Sequence, residues 1–576
     1  MFIKFNKKLV IWAVIIAIVV VGIVLGLVFG LKGSSSSSVA IPKAAVVSNG
    51  KGCAAIGSSM LDDGGSAVDA AIATLLCEGI MLPHSMGLGG GFFAVIYNKT
   101  TGSIETLNAR ESAPLASTEG MFINKTITGA IAGAVPGELL GYWNLHQKYG
   151  KLPWKQLFPP TIELAKNGHT VSIYLHNAMK QHEQRIISEP SMAEVFVDPK
   201  TGGVWNTGDI MKRPKLAETL EIIAEKGADA IYKGGEIGKK LVEDMKKLGG
   251  IMTEEDLWKY NVTWDPPVKV DISNDYTLYT TPLPSSGSVL AMILNIVDGY
   301  DHKNDTLYWH RFIEASKHAY GQRTKLGDMH FEEGIEDIYN QIIDPKFAAD
   351  IRKLILDDKT FTSYQYYGAE FANNDDHGTA NMAVIDFEGN AITLTSTVNR
   401  YFGGKVRSQQ TGIIINDEMD DFSTPGTVNS YDIPASPSNF IKPGKRPLSS
   451  MCPGIILDKN GNPRMLIGAA GGSMITTAVA QAILKYLVLN WDINDAIQSK
   501  RLHHQLAPML VTYEKNFDDA TLKYLERVGH ELEEGSAGQF SALTTIGIKN
   551  DIPVPVYDER RVGSVSVVYP KNKMAH

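Results

Sequence analysis

Residues 375–387 read Asp375-Asp376-His377-Gly378-Thr379-Ala380-Asn381-Met382-Ala383-Val384-Ile385-Asp386-Phe387. The stretch is polar up to Gly378, and Met382 to Phe387 then reads as a strand. Glu388-Gly389-Asn390 supplies a turn, and Ala391 to Thr397 reads as a second strand, so the whole predicts a hairpin. Thr379 stands at the mouth of that hairpin, just after a glycine whose carbonyl is unhindered. If its hydroxyl attacks that carbonyl, the chain breaks and Thr379 becomes a new N-terminus. Its own α-amine can then serve as the base for its own hydroxyl. A Gly-Thr dipeptide can equally be a plain turn before a strand, and the rest of the chain decides between the two.

Downstream, Thr411 to Ile415 and Arg464 to Ile467 read as further strands. Ala469-Ala470-Gly471-Gly472-Ser473 follows the second, and then a helix through about Leu489. Upstream, Gly64-Gly65 breaks the chain before Ser66, which is placed to cap a buried helix over Ala67 to Leu76 around Asp69. Gly87 to Gly91 is glycine-dense, and Phe92 to Tyr97 follows as a strand. From about Gly137 to Leu356 the pattern is mostly helical. Lys215 to Glu225 and Ile237 to Leu248 carry apolar residues at helical spacing, and Pro214 sits where a helix start tolerates proline. The chain reads as mixed α/β, with Thr379 opening a sheet of its C-terminal third.

The 576 residues are 44% hydrophobic and 20% charged, enough for a large core. A net charge of -8 gives no basic footprint, which argues against a nucleic-acid partner. Leu9 to Leu31 is free of charge and long enough to cross a bilayer as one helix. Lys4, Lys7 and Lys8 precede it and only Lys32 follows closely, which puts residues 1–8 in the cytoplasm and the bulk of the chain outside. The rival is a cleaved signal peptide, which would have a shorter apolar region and a small-residue cleavage site. Ser34 to Ser38 lies in a short flexible stalk, residues 32–40. The expected location is the plasma membrane, single-pass type II. Outside the cell disulfides are permitted, and three cysteines leave one free. Cys53 and Cys77 flank a glycine turn and a predicted helix and are paired here, leaving Cys452 as a buried thiol. N-x-Thr sequons at Asn98, Asn124, Asn261 and Asn304 fit an extracellular domain. No cysteine/histidine spacing suggests a metal site.

Several motifs follow one another along the chain. They are Pro83-His84-Ser85-Met86-Gly87-Leu88-Gly89-Gly90-Gly91, Asn108-Ala109-Arg110-Glu111 and Ala132-Gly133-Ala134-Val135-Pro136-Gly137. After Thr379 come Thr395-Ser396-Thr397-Val398-Asn399, Tyr401-Phe402-Gly403 and Asn416-Asp417-Glu418-Met419-Asp420-Asp421-Phe422. Arg446-Pro447-Leu448-Ser449-Ser450-Met451 and Gly468-Ala469-Ala470-Gly471-Gly472 complete the string. From about Ala40 to near the C-terminus this resembles the γ-glutamyltransferases (γ-glutamyl transpeptidases), of the N-terminal nucleophile hydrolase superfamily. The resemblance implies a four-layer αββα sandwich, made as one precursor that cuts itself into a large subunit, residues 41–378, and a small subunit, residues 379–576. That family usually has histidine two residues after the nucleophile, where this chain has Asn381.

A γ-glutamyl group offers an α-carboxylate, an α-ammonium and a γ-carbonyl. Arg110 supplies a planar donor fork for the carboxylate, and Ser449 and Ser450 could add hydroxyls. Glu418, Asp421 and Asn399 offer acceptors for the ammonium. Backbone N–H groups of Gly471 and Gly472, between a strand and a helix N-terminus, suit an oxyanion. Thr397 resembles the family's second threonine, which hydrogen-bonds the nucleophile. Each piece also has a plain reading: a surface salt bridge, a solvated acidic turn, a polar turn, a strand residue. His503 and His504 receive no role. The implied activity is removal of γ-glutamyl groups from glutathione and related compounds, passed to water or to an amino acid or dipeptide, with no cofactor. The alternatives are an amide acylase of the same fold with another acyl group, and an uncleaved, inactive surface protein that only binds.

Overall fold

The strand Ala380–Ile385 is the pivot of the architecture, because its two faces belong to two different cores. In the computed structural model Ala380, Met382 and Val384 face one apolar cluster, while Ala383 and Ile385 face another. The structure describes residue 12 and residues 41–301, 305–372, 378–536 and 538–570. The expected tail, the anchor apart from Trp12, the stalk, Asn304 and Asp375–His377 lie outside the described residues. Among the described residues no helix is long and apolar enough to cross a membrane. Pro42–Tyr569 pack as one unit.

Two antiparallel sheets make up the centre. The first runs in the order Ser564–Val568, Ala44–Ser48, Ala380–Ile385, Ala391–Thr397, Gly91–Asn98, Ser103–Ala109 and Thr263–Asp265. The second runs Ile552–Tyr557, Ala542–Lys549, Pro463–Ala470, Gly454–Asp458, Tyr276–Thr280 and Val268–Ile272. Their facing surfaces share a core of Ala45, Val47, Val95, Ala383, Ile455, Leu466 and Ile546. The outer face of the first sheet is covered by helices including Ala67–Met81 and Glu138–Tyr149. The outer face of the second is covered by Gly287–Val297, Asp305–Arg323 and Met474–Ile483. Three apolar interfaces therefore separate four layers, αββα, as expected.

The inter-sheet space is not wholly apolar, and its polar members are satisfied. Thr393 Oγ1 donates to Met382 O at 3.1 Å, and Thr545 Oγ1 donates to Leu466 O at 2.7 Å. The Asn381 amide lies 2.6 Å from Thr395 Oγ1 and 2.5 Å from Thr544 Oγ1. Left without such partners, each group would cost on the order of 1–3 kcal/mol to bury.

The local signals hold where they are strong. Ser66 caps Ala67–Met81 in a reciprocal box with Asp69. Pro214–Lys226 and Glu236–Lys247 are the two expected amphipathic helices. A disulfide joins Cys53 to Cys77, and the Cys452 thiol is buried and pushed up to about 12 by desolvation.

Two readings hold and gain detail, and one, the strand at Thr411 to Ile415, needs correction. The segment 137–356 is not only helical, since it contributes Thr263–Asp265, Val268–Ile272 and Tyr276–Thr280 to the sheets. Val268, Val270 and Ile272 are buried while Lys269 and Asp271 are exposed, the period-two pattern of a half-buried strand. Thr411 to Ile415 forms no strand. It makes one bridge, Ile414 to Arg407, because Gly412 turns the chain at φ 77° against the backbone of Leu216. The helix after Gly472 is α-helical only over Met474–Ile483 and ends in a π-helical turn, Leu484–Val488.

Candidate active site

Gly378 and Thr379 lead into the strand Ala380–Ile385, and Thr379 is 4% exposed. Gly378 has φ 97°, and a Cβ there would lie 2.3 Å from Asn399 O, so the position demands glycine. The Thr379 hydroxyl touches the Gly378 carbonyl oxygen. Thr397 Oγ1 donates to that same oxygen at 3.2 Å and accepts from Asn399 N at 2.8 Å. Asn399 is held at φ 71°, and its Nδ2 donates to Asp417 O at 3.2 Å. Among the described residues its Oδ1 is buried without a hydrogen-bond partner. Asn381 lies two residues past Thr379, and its amide is engaged by Thr395 and Thr544. Gly468 makes room for it, since a Cβ there would come 2.1 Å from Asn381 Oδ1.

The charged group lies at the other end of this chain of contacts. Arg110 follows the strand Ser103–Ala109 and is 1% exposed. One guanidinium nitrogen donates to Glu418 and the other to Asp421. The second also reaches Leu448 O at 3.2 Å, which brings the Ser449-Ser450 loop against the same arginine. Ser449 Oγ accepts from Met451 N at 3.2 Å, and Arg323 Nη2 donates to Ser450 Oγ at 3.4 Å. Glu418–Asp421 is a short 3-10 turn held by Asn416, whose four hydrogen bonds are all used. Its Oδ1 accepts from Glu418 N and Ala134 N, and its Nδ2 donates to Gly89 O and Ala134 O. Three motifs distant in sequence thus meet on one amide. Among the described residues Glu418 Oε2 is buried without a hydrogen-bond partner. Glu111, with Oε2 3.7 Å from Arg110, is pushed up to about 7 by burial, and burial raises Asp417 to about 6 against the opposing pull of Lys405.

Gly471 and Gly472 link the strand Pro463–Ala470 to the helix Met474–Ile483 at φ 136° and 64°. A Cβ on Gly471 would lie 2.7 Å from Ser541 Cα. Gly378 and Gly471 both line a cavity of about 660 Å³, together with Arg400, Lys405, His503 and Arg561. Arg110, Glu418 and Asp421 are not among its lining residues and are buried. His503 is held by Thr477 Oγ1 at 2.7 Å and Gln505 Oε1 at 3.0 Å.

Among the described residues, His310, Glu314 and His530 bring donor atoms close enough for a metal ion. Those atoms are already engaged. Glu314 Oε1 accepts from Lys317 Nζ at 3.0 Å and from Thr360 Oγ1 at 2.6 Å, and Oε2 accepts from Tyr367 OH at 2.8 Å. His310 lies between His530 Nε2 at 2.9 Å and Leu356 O at 2.7 Å. Lys317 supplies the positive charge that a cation would bring.

The expected site residues Thr379, Thr397, Asn399, Glu418, Asp421 and Arg110 fall on one connected path. Ser449 and Ser450 adjoin Arg110, and Gly471 shares the cavity with Gly378. Sequence reasoning passed over Asn416, Ser396 and Glu138, although each lies in or directly beside a motif it quoted. Of the sequons, Asn124 and Asn261 are exposed and Asn98 is half-buried.

Comparison with known proteins gives the following. The family model described as gamma-glutamyltranspeptidase matches residues 53–568. Scoloptoxin SSD14 of Scolopendra dehaani is 43% identical, over 93% of this chain and 94% of that protein. Glutathione hydrolase 3 of Arabidopsis thaliana is 39% identical, over 90% of this chain and 83% of that protein. The crystal structure of cephalosporin acylase from Bacillus halodurans superposes with a TM-score of 0.79 over 93% of this chain and 98% of that one. At 24% identity it speaks to the fold alone.

Proposed function

Because the chain belongs to the gamma-glutamyltranspeptidase family, we propose that it is an enzyme that cuts itself and then hydrolyses or transfers the γ-glutamyl group of glutathione and related compounds. The observation that carries this is the unbroken path of contacts from Thr379, through Gly378, Thr397, Asn399 and Asp417, to Glu418 and Arg110.

In maturation, Thr379 Oγ1 attacks the Gly378 carbonyl carbon while Thr397 steadies the carbonyl oxygen. The peptide nitrogen leaves as the amine of Thr379, and water hydrolyses the resulting ester. The products are the fragment ending at Gly378, which carries the large subunit 41–378, and a small subunit, 379–576. In turnover the freed amine takes the hydroxyl proton as Thr379 attacks the γ-carbonyl, and N–H groups of Gly471 and Gly472 receive the oxyanion. The proton passes to the departing amine, and water or an amino acid or dipeptide takes the γ-glutamyl group from the ester.

The ion cluster suits a zwitterion. The α-carboxylate replaces Glu418 and Asp421 on Arg110, with Ser449 and Ser450 beside it. The α-ammonium meets the two released carboxylates and the spare Asn399 Oδ1. The exchange leaves the buried charge unchanged, which limits its desolvation cost. A neutral acyl group would leave Arg110 and the acids as they are and gain nothing from them, so the cluster favours γ-glutamyl donors over other acyl groups.

Leu9–Leu31 is proposed to anchor the chain in the plasma membrane with the catalytic unit outside. A glycosidase that removes N-linked sugars should then shift the fragment ending at Gly378 on a gel. It should leave the sequon-free fragment from Thr379 unshifted, and the reverse pattern rejects this topology. The activity itself is tested with a γ-glutamyl anilide, with and without a dipeptide acceptor. Two fragments on a denaturing gel and anilide release are expected. One intact chain that binds without turnover would mean an inactive binder. Turnover of a different acyl anilide alone would mean an acylase.

A further inference from the structure

Glu138 opens the helix Glu138–Tyr149 directly after Val135-Pro136-Gly137 and is fully buried. Both of its carboxyl oxygens lie 2.9 Å from Ser396 Oγ, and the Tyr142 hydroxyl one turn on bonds to Oε1. Ser396 is the penultimate residue of the strand Ala391–Thr397, paired with Ala380 on one side and Phe92 on the other. Side chains alternate along a strand. Ser396 therefore points to the outer helical layer, while the next residue, Thr397, places its hydroxyl on the Gly378 carbonyl oxygen. The backbone doubles the link. Gly137 N and Glu138 N both donate to Gly90 O, at 2.9 and 3.0 Å. Gly90 presses on the strand end so closely that a Cβ there would lie 2.0 Å from Thr397 O. On its other side Gly137 packs against Ala109 O and Tyr260 OH, and Tyr260 OH donates to Arg110 O at 2.8 Å.

We propose that Glu138 is a positioning residue for the reaction: it grips Ser396 from the outer layer and so fixes the Thr397 hydroxyl where Thr379 reacts. The inference rests on the reading of Thr379 as the nucleophile. Among the described residues no cation pairs with Glu138. The groups facing it are the carboxyls of Glu78 and Glu111 and the hydroxyls of Tyr142, Tyr232, Tyr260 and Ser396. Burial pushes its carboxyl up to about 8, so at neutral pH it is an uncharged acid that both donates and accepts. Above that pH it becomes an unpaired buried anion that can only accept, and the grip on the strand end changes. The folded state holds the proton more tightly than the unfolded one. The stability from this group is therefore full below the ordinary carboxylate range and is lost as pH rises to about 8.

The test measures precursor cleavage, and kcat and KM with a γ-glutamyl anilide, from about pH 6 to 10 for wild type, Glu138→Ala, Glu138→Gln and Ser396→Ala. Glu138→Ala should lower kcat about tenfold or more with KM within about twofold. Glu138→Gln, which mimics the neutral acid, should recover most of that loss and abolish the fall in kcat above about pH 8. The Thr379 α-amine acts in the opposite sense, gaining activity as it loses its proton, so the two titrations separate. If Glu138→Ala does not fold, Ser396→Ala should still lower kcat, and the alkaline profile of Glu138→Gln still decides. Wild-type kcat in Glu138→Ala and Ser396→Ala, or an alkaline limb that survives in Glu138→Gln, overturns the proposal. Cleavage of a Thr379→Ala precursor would instead reject the nucleophile reading and leave the position of Glu138 unexplained.

Discussion

Gly378 and Gly471 meet the cleft, with the Thr379 and Thr397 hydroxyls on the Gly378 carbonyl oxygen, whereas Arg110, Glu418 and Asp421 meet one another. The first region carries no charge of its own and reaches a cavity of about 660 Å³ through Gly378 and Gly471. The second is ionic and buried, its side chains 1%, 0% and 4% exposed. The difference separates two tasks. Neutral donors aimed at a point where charge will develop can act without rearranging ions of their own. Buried ions that satisfy each other can be opened only by a ligand that returns both charges. The neutral region should therefore govern kcat and self-cleavage, and the ionic region should govern which molecule is admitted.

The sharpest way to break this division is to remove the proposed nucleophile. In Thr379→Ala no hydroxyl faces the Gly378 carbonyl. The precursor should stay as one chain and show no turnover, while the ion cluster and the fold remain. A denaturing gel and a thermal melt check both halves. Cutting between Gly378 and residue 379 at the normal rate would show that the neutral region does not drive processing.

Next in size is the loss of one ion. Removing one member of a buried charge pair typically costs roughly 2–5 kcal/mol, and each 1.4 kcal/mol is about a factor of ten. Asp421→Ala should therefore lower kcat/KM about thirtyfold or more. Self-cleavage needs no free ammonium and should be largely spared. Wild type should discriminate strongly against a donor lacking the α-amino group, and the variant should lose most of that discrimination. A variant that matures normally yet keeps full preference for the α-amino donor would assign Asp421 another role.

The two regions also differ in how much of them could be read beforehand. The hairpin Ala380–Thr397 is local: apolar runs, a Glu-Gly-Asn turn and a strand period confined to 18 residues. Val268–Ile272 carries the same period but is flanked by helical segments that drew attention away from it. The pairing of Ala45 with Ile385 joins residues far apart in the chain, and no local pattern records it. Thr411 to Ile415 shows the reverse failure, since its β-branched composition fits a strand and one left-handed glycine prevents it. At the site, motif order named Arg110, Glu418 and Asp421 but could not say that they would pair. That depends on Asn416 drawing Gly89, Ala134 and the acidic turn together. Glu138 was invisible for the same reason, because its partner Ser396 lies 258 residues away.

The smallest effect expected tests the boundary inside the neutral region. Thr397 donates to Gly378 O at 3.2 Å and accepts from Asn399 N at 2.8 Å, so it touches both the reacting group and the first residue of the recognition side. Valine keeps its shape and β-branching and removes only the hydroxyl. A single hydrogen bond contributes on the order of 0.5–1.5 kcal/mol net, so Thr397→Val should slow self-cleavage about three- to tenfold. The unpaired Asn399 N–H adds a second effect, because Asn399 sits at φ 71° and, among the described residues, is then held by its amide bond to Asp417 O. KM should therefore rise modestly alongside the fall in kcat. Thr397→Ser restores the hydroxyl without the methyl and should recover most of the cleavage rate. If the serine variant cleaves no faster than the valine variant, the methyl packing of Thr397 matters more than its hydrogen bond. The line between the neutral and ionic regions would then lie at Thr379 itself.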